Sequence, residues 1–106
     1  MTMIDVFVKK RIEIPDSVTI RGNVCRAEFY DDSDFVGEDD ERYTYFMCFD
    51  NGTVPMEIRI YEQSMNDEVF IAAVVESDIV EDCYVPATSE SVTEMVYAYA
   101  RYLDSL

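Results

Sequence analysis

Histidine and tryptophan are both absent from this 106-residue chain, and glycine, proline and cysteine occur only three times each. The lack of histidine excludes the Ser-His-Asp and Cys-His groups that activate a nucleophile. No phosphate-binding glycine loop, dinucleotide-binding glycine pattern or GxSxG motif is present. Nothing marks out one acid–base pair among the 23 carboxylates. We therefore expect a protein that is not an enzyme and that has no cofactor and no metal site.

The three cysteines, Cys25, Cys48 and Cys83, form no CxxC pair, and there is no histidine to complete a zinc site with them. We interpret them as reduced, mostly buried thiols of a cytoplasmic protein. No stretch is long and apolar enough to span a membrane, and no apolar signal region follows Met1. We expect a cytoplasmic location, which is the host cytoplasm if a phage encodes the chain, and no membrane partner.

The chain does contain enough apolar residues for one core. Hydrophobic residues make up 49% of the sequence and aromatic residues 13%, which separates it from acidic disordered tails. The scarcity of glycine and proline leaves no flexible linker. Residues 1–106 are therefore expected to form a single domain.

Alternation of apolar and polar residues predicts the strands of the first part of the chain. Over residues 4–14 it predicts one long, half-buried strand. Residues 18–30 form a second extended stretch, in which the apolar parity changes at residues 22–23. A bulge is favoured at that point, and a hairpin turn is the alternative. Residues 42–50, which are rich in aromatics, and residues 53–62 are predicted to pair across the Asn-Gly turn between them.

The second part of the chain predicts one buried strand and one helix. Residues 68–76 are nearly all apolar, which is typical of a central strand covered on both faces, and residues 77–88 are predicted to be an extended connector. Ser91 and Glu94 form a capping box that predicts a helix running to about residue 104. Its apolar stripe should pack on the sheet and consists of Val92, Met95, Val96, Tyr99 and Leu103. The expected fold class is α+β, with an antiparallel sheet of about five strands and one C-terminal helix packed on a face.

The strongest signal is negative charge, because 23 acidic residues face eight basic ones for a net charge of −15. Self-repulsion of this size destabilises a compact chain, which indicates that the acidic surface has a use. The acids concentrate in residues 31–41, in the connector and along the helix. Those in 31–41 do not fit a calcium-binding EF-hand loop, since position 12 counted from Asp32 is Tyr43 instead of glutamate. The plain alternative is a solvated acidic surface without a partner.

We predict that two acidic segments and the aromatic residues beside them bind a partner. Tyr30, Phe35, Tyr61 and Tyr84 are candidate anchors inside a charged rim, and ordinary packing is the alternative for them. The residues predicted to contact the partner are Asp31, Asp32, Asp34, Phe35, Glu38, Asp39, Asp40, Glu41, Glu76, Asp78, Glu81 and Asp82.

In size, acidity and its make-up of short strands with one helix, the chain resembles small phage-encoded inhibitors that imitate nucleic acid. These include anti-CRISPR proteins, anti-restriction proteins and inhibitors of uracil-DNA glycosylase. The resemblance covers overall character and no specific residues, and since those inhibitors share no common fold, it implies no site. It implies an acidic inhibitor that occupies the positively charged nucleic-acid site of an enzyme. The partner would be a basic nucleic-acid-binding protein, such as a nuclease or a CRISPR effector, and the chain itself would not contact nucleic acid.

Two other functions remain open from the sequence. One is an immunity protein or antitoxin that neutralises a basic toxin by the same electrostatic attraction. The other is a structural or assembly module of a phage or mobile element, which self-associates, for example as a homodimer, through a sheet edge or the helix.

Overall fold

The computed structural model describes residues 1–7, 10–31, 42–50, 54–62 and 67–106. Within these residues the chain forms eight strands and one helix. The elements are β1 (Thr2–Phe7), β2 (Lys10–Ile14), β3 (Ser17–Ile20), β4 (Asn23–Asp31), β5 (Arg42–Asp50), β6 (Val54–Tyr61), β7 (Glu68–Val75), β8 (Asp78–Pro86) and α1 (Ser89–Asp104). β1 pairs with β2, and β3 to β8 form a curled, six-stranded antiparallel sheet in chain order. The predicted α+β class with a C-terminal helix is confirmed.

The core lies between one face of the six-stranded sheet and α1. The helix contacts β3, β6, β7 and β8 of this sheet and β2 of the small hairpin. The predicted apolar stripe of α1 is buried, apart from Met95, which is partly buried. Each fully buried aliphatic or aromatic side chain of such a core stabilises the fold by about 1.5–3 kcal/mol. No helix within the described residues is long and apolar enough to cross a membrane.

The first 14 residues form a hairpin, so the prediction of one long strand over 4–14 is wrong. β1 and β2 are antiparallel, with Thr2 opposite Ile14 and Ile4 opposite Ile12. From Thr2 to Asp5 each residue and its partner are both even-numbered or both odd-numbered, so the apolar side chains keep the same parity on both strands. Alternation therefore continues unchanged through the reversal and cannot reveal it.

The parity change near residue 22 marks a hairpin, and the favoured bulge is wrong. Val18 lies opposite Cys25 and Ile20 opposite Asn23, so residues on one face are even-numbered in β3 and odd-numbered in β4. The two connecting residues have positive φ angles, 53° at Arg21 and 77° at Gly22, as a two-residue primed turn requires. Arginine is a poor match for such a turn, which is why the sequence signal is weak.

This turn yields the first prediction: Gly22→Ala should lower the free energy of unfolding by about 1 kcal/mol, because a Cβ disfavours positive φ. No neighbouring atom lies within 4 Å of the added Cβ, so the loss would come from backbone conformation and not from a clash. Urea unfolding followed by circular dichroism measures it. An unchanged unfolding midpoint would contradict the hairpin geometry.

The prediction of an extended connector over 77–88 is wrong for most of that segment, because residues Asp78–Pro86 form β8, a nine-residue strand at the edge of the sheet. A bulge opposite Ala73 and Val74 interrupts the register of β8 with β7, and this irregularity breaks the alternation that would have identified a strand. β7 is buried on both faces, as predicted, but it is next to the edge instead of central.

The helix begins one turn earlier than the capping box at Ser91 predicts. Thr88 is the N-cap, and its side-chain oxygen accepts a hydrogen bond of 3.1 Å from the backbone N–H of Ser91. Both residues are good caps by residue type. The end of β8 favours Thr88 as the cap. The backbone N–H of Ala87 donates to the Asp67 carbonyl, and the next residue, Thr88, is in extended conformation at the start of the helix.

Candidate partner-binding surface

The described acidic residues of the predicted site lie in two separate places. Asp31 ends β4, whereas Glu76 lies in the turn before β8, and Asp78, Glu81 and Asp82 lie in β8 itself. All five side chains are exposed. The remaining predicted residues lie outside the described residues; they are Asp32, Asp34, Phe35, Glu38, Asp39, Asp40 and Glu41.

The sheet brings the acids of residues 76–82 together along one edge and leaves Asp31 on the far side. β4 and β8 are separated by three strands, which corresponds to about 19 Å at normal strand spacing. Glu81 and Asp82 also point to opposite faces, since Glu81 lies opposite Ala73 of the helix-side core and Asp82 lies opposite Ala72. Asp82 is therefore on the face opposite α1, which we call the outer face.

A continuous row of five aromatic rings crosses the outer face. Its members are Tyr30 of β4, Tyr43 of β5, Tyr61 of β6, Phe70 of β7 and Tyr84 of β8, each opposite the next in the strand register. Successive ring centroids are 4.8, 5.3, 5.2 and 5.1 Å apart. Aromatic pairs in such contact contribute about 0.5–1.5 kcal/mol each beyond the burial of their surface. We call this set the aromatic row.

The aromatic row is buried at Tyr43, half-buried at Tyr61 and Phe70, and exposed at its two ends. Tyr43 is 7% exposed, whereas Tyr30 is 40% and Tyr84 is 61% exposed. Tyrosine and phenylalanine have few rotamers, and here each ring is held by its neighbours, so little conformational entropy remains to be lost on binding. The row is a rigid apolar platform with an accessible ring at either end.

A buried ion pair lies beside the aromatic row on β6. The Arg59 guanidinium donates through Nε to Glu57 Oε1 at 2.9 Å and through Nη2 to Glu57 Oε2 at 3.0 Å. It also lies over the Tyr43 ring, with Cζ 4.9 Å from the ring centroid. Glu57 is 6% exposed, although residue alternation alone predicts an ordinary outward-facing carboxylate there. This fixed pair holds the middle of the outer face in place.

The ionisation of these groups follows from their surroundings. Burial by itself lowers the pKa of the Arg59 guanidinium, but hydrogen bonds to Glu57 and to the Tyr61 hydroxyl raise it overall. Burial raises the pKa of Tyr43, and the Arg59 charge partly opposes that rise. The pKa of Tyr45 is raised because its hydroxyl donates a 2.8 Å hydrogen bond to Glu28 Oε2. Both tyrosines therefore remain neutral near pH 7, and Arg59 remains charged.

An open hollow of about 380 Å³ adjoins the row on the outer face. It is lined by Tyr45, Met47, Phe49, Pro55, Glu57 and Arg59, among others. Phe49 at its rim is 55% exposed, and Ile79 across the sheet is 48% exposed. The outer face thus offers apolar and aromatic side chains around one neutralised ion pair.

Sequence reasoning found three of the five members of the aromatic row, Tyr30, Tyr61 and Tyr84, as aromatics beside acids. It missed Tyr43 and Phe70 as the links between them, and it missed the Glu57–Arg59 pair. The outward parity of Tyr43 in its strand was a usable signal. The chain of contacts was not, because it depends on the register of four strand pairs.

The described residues include no group of three or more acidic or cysteine side chains arranged to hold a metal ion. No protein-family model, curated protein or solved structure matches this chain.

Proposed function

We propose that this protein is an acidic inhibitor that binds the positively charged nucleic-acid site of a basic partner protein through its outer face. One observation carries the proposal: a rigid row of five aromatic rings with exposed ends lies on the open face of a chain whose net charge is −15. Aromatic anchors surrounded by charge are the usual composition of tight protein interfaces.

The size of the outer face supports an interface in which charge also takes part. Five strands at about 4.8 Å spacing and four side-chain rows at about 6.8 Å spacing cover about 650 Å² in plan. A standard interface buries about 800 Å² on each partner, so the surrounding acidic rim has to supply the rest. Asp82 lies on the face itself, and Asp31 and Glu76 lie at strand ends beside it.

The charge distribution argues against direct binding of nucleic acid. Aromatic platforms that stack bases also need a positively charged groove for the phosphates. The described arginines of outer-face parity in β4 to β8 are Arg59, which Glu57 neutralises, and Arg26 near the β3 side of β4, and these two do not make such a groove. Two copies of a chain with a net charge of −15 also repel each other, which disfavours self-association through this face.

The proposal is tested by capture followed by competition. The immobilised protein is exposed to a lysate rich in nucleic-acid-binding proteins, and bound proteins are eluted with rising salt and identified. The partner is then purified and loaded with a labelled oligonucleotide, and the acidic protein is added in excess. We expect the partner to elute as the salt concentration rises, because the Debye length falls from about 10 Å at 0.1 M to about 3 Å at 1 M salt. In the competition experiment we expect the oligonucleotide to be released.

A stable complex of all three components would contradict the proposal, because it would place the contact away from the nucleic-acid site. An immunity protein would use the same surface on a toxic nuclease, and the identity of the captured partner distinguishes that function from a phage inhibitor of host defence.

A further inference from the structure

Two cysteines of the core lie on adjacent strands. Cys25 is in β4 and Cys48 is in β5, and both are buried, at 2% and 5% exposure. The paired residues of β4 and β5 end at Ala27 and Phe46, and Cys25 and Cys48 each lie two residues beyond that pair, with their side chains in the same core. Neither cysteine is part of a disulfide, and both belong to the same core cluster.

The backbone hydrogen bonds show which kind of strand pair this is. The Ala27 N–H donates to the Asp16 carbonyl, so the polar groups of Ala27 point away from β5, and by alternation those of Cys25 do too. The Arg42 carbonyl accepts from the Glu62 N–H, so even-numbered residues of β5, including Cys48, direct their polar groups towards β6. Continued by two residues past Ala27 and Phe46, this alternation makes Cys25 and Cys48 facing residues of the non-hydrogen-bonded kind.

Side chains are closest at such positions. Opposite Cα atoms of a non-hydrogen-bonded pair are about 4.5 Å apart, which falls within the range of about 4.4–6.8 Å that a disulfide accepts. The two thiols are also hydrogen-bonded to each other. Burial raises the pKa of the Cys25 thiol, and the hydrogen bond from Cys48 partly opposes that rise. The Cys25 thiol itself lies 3.3 Å from the Asn23 carbonyl oxygen that accepts its proton.

We propose that Cys25 and Cys48 are a site of reversible oxidation, at which a small peroxide converts the two thiols into a disulfide that joins β4 to β5. One thiolate attacks a peroxide oxygen, the O–O bond breaks, and a sulfenic acid and hydroxide form. The second thiol then attacks the sulfenic sulfur, the S–O bond breaks as the S–S bond forms, and water leaves with the remaining proton. Two thiols and one hydrogen peroxide thus give one disulfide and two waters.

The third cysteine provides the internal control. Cys83 lies in β8, and the Tyr99 hydroxyl on α1 is hydrogen-bonded to it. In the sheet, β6 and β7 lie between β8 and the neighbouring strands β4 and β5. A specific pair should leave Cys83 reduced, whereas indiscriminate oxidation should favour Cys83, which is more exposed than the other two.

The experiment treats the purified protein with hydrogen peroxide and follows its intact mass and its proteolytic peptides without reductant. We expect the loss of two hydrogen masses, a single linked peptide pair containing Cys25 and Cys48, and full reversal by dithiothreitol. The oxidised protein should unfold at a higher urea concentration, because the bridge restricts the unfolded chain between positions 25 and 48. Cys83→Ser should behave identically.

The Cys25→Ser variant should form no intramolecular disulfide, but it alters a buried position and can be unstable. The peptide map of the wild-type chain and of Cys83→Ser therefore decides the question without it. A link that includes Cys83, a dimer joined by disulfides, or gain of oxygen without any link would overturn the proposal.

Discussion

Replacing Tyr84 by serine is expected to weaken partner binding by about 30-fold, the loss produced when an aromatic anchor worth about 2 kcal/mol is truncated. Tyr84 is the most exposed end of the aromatic row, at 61%. It is also in contact with Phe70, with ring centroids 5.1 Å apart, so its ring is already oriented for contact. Titration calorimetry with the partner identified by capture measures the change.

The matched control for this substitution is Tyr97→Ser. Tyr97 is 45% exposed on α1, on the other side of the sheet from the outer face. Its removal deletes the same chemical group without touching the aromatic row, and we expect binding within twofold or so of wild type. Equal losses for Tyr84→Ser and Tyr97→Ser would show that binding does not use the outer face.

Charge can be tested on the same surface with two neighbouring acids. Asp82→Lys and Glu81→Lys each change the net charge from −15 to −13, yet the two side chains point to opposite faces. If the outer face is the interface, Asp82→Lys should cost more than tenfold in affinity and Glu81→Lys much less. Similar losses for both would instead indicate long-range attraction without a defined contact.

Removing one member of the buried ion pair should produce the largest loss of stability. Arg59→Met is expected to lower the free energy of unfolding by about 3 kcal/mol, the lower end of the range for leaving a buried charge unpaired. The lower end applies because the Arg59 side chain keeps 20% exposure, whereas that of Glu57 keeps only 7%. Urea unfolding followed by circular dichroism measures this loss.

A double substitution separates the ion pair from simple packing. Glu57→Gln combined with Arg59→Met removes both charges and should recover part of the stability lost in Arg59→Met alone, because no unpaired charge remains. Arg26→Met on β4, where the arginine is exposed, serves as the control and should change stability by less than about 0.5 kcal/mol. An Arg59→Met loss as small as that of Arg26→Met would mean that the pair contributes nothing.

The strands with strong local patterns could be predicted, and those with ambiguous patterns could not. β5 and β6 alternate cleanly on either side of an Asn-Gly signal, and α1 has a clear apolar stripe, so both were found from the sequence. The β1–β2 hairpin was missed because its register preserves parity. β8 was missed because its bulge breaks alternation and its edge position leaves most of its side chains exposed.

Some features of the candidate surface could likewise be predicted from the sequence, and others could not. The excess of carboxylates and the nearness of Tyr30, Tyr61 and Tyr84 to them were visible along the chain. The contacts that turn separate tyrosines into a row were not, because Tyr43 and Tyr61 are 18 positions apart and meet only through the β5–β6 register. The burial of Glu57 was equally hidden, since alternation gives it the outward parity of β6 and yet it is 6% exposed.

The sequence by itself determined the α+β class, the helix with its buried stripe, the net charge of −15 and the exclusion of histidine-based catalysis. These properties follow from composition and from short periodic patterns, which need no knowledge of strand pairing. The tertiary structure alone decided that five rings from five strands form one platform, that Glu81 and Asp82 face opposite ways, and that Cys25 lies against Cys48. Each of these depends on strand register, and register is set by packing between distant segments of the chain.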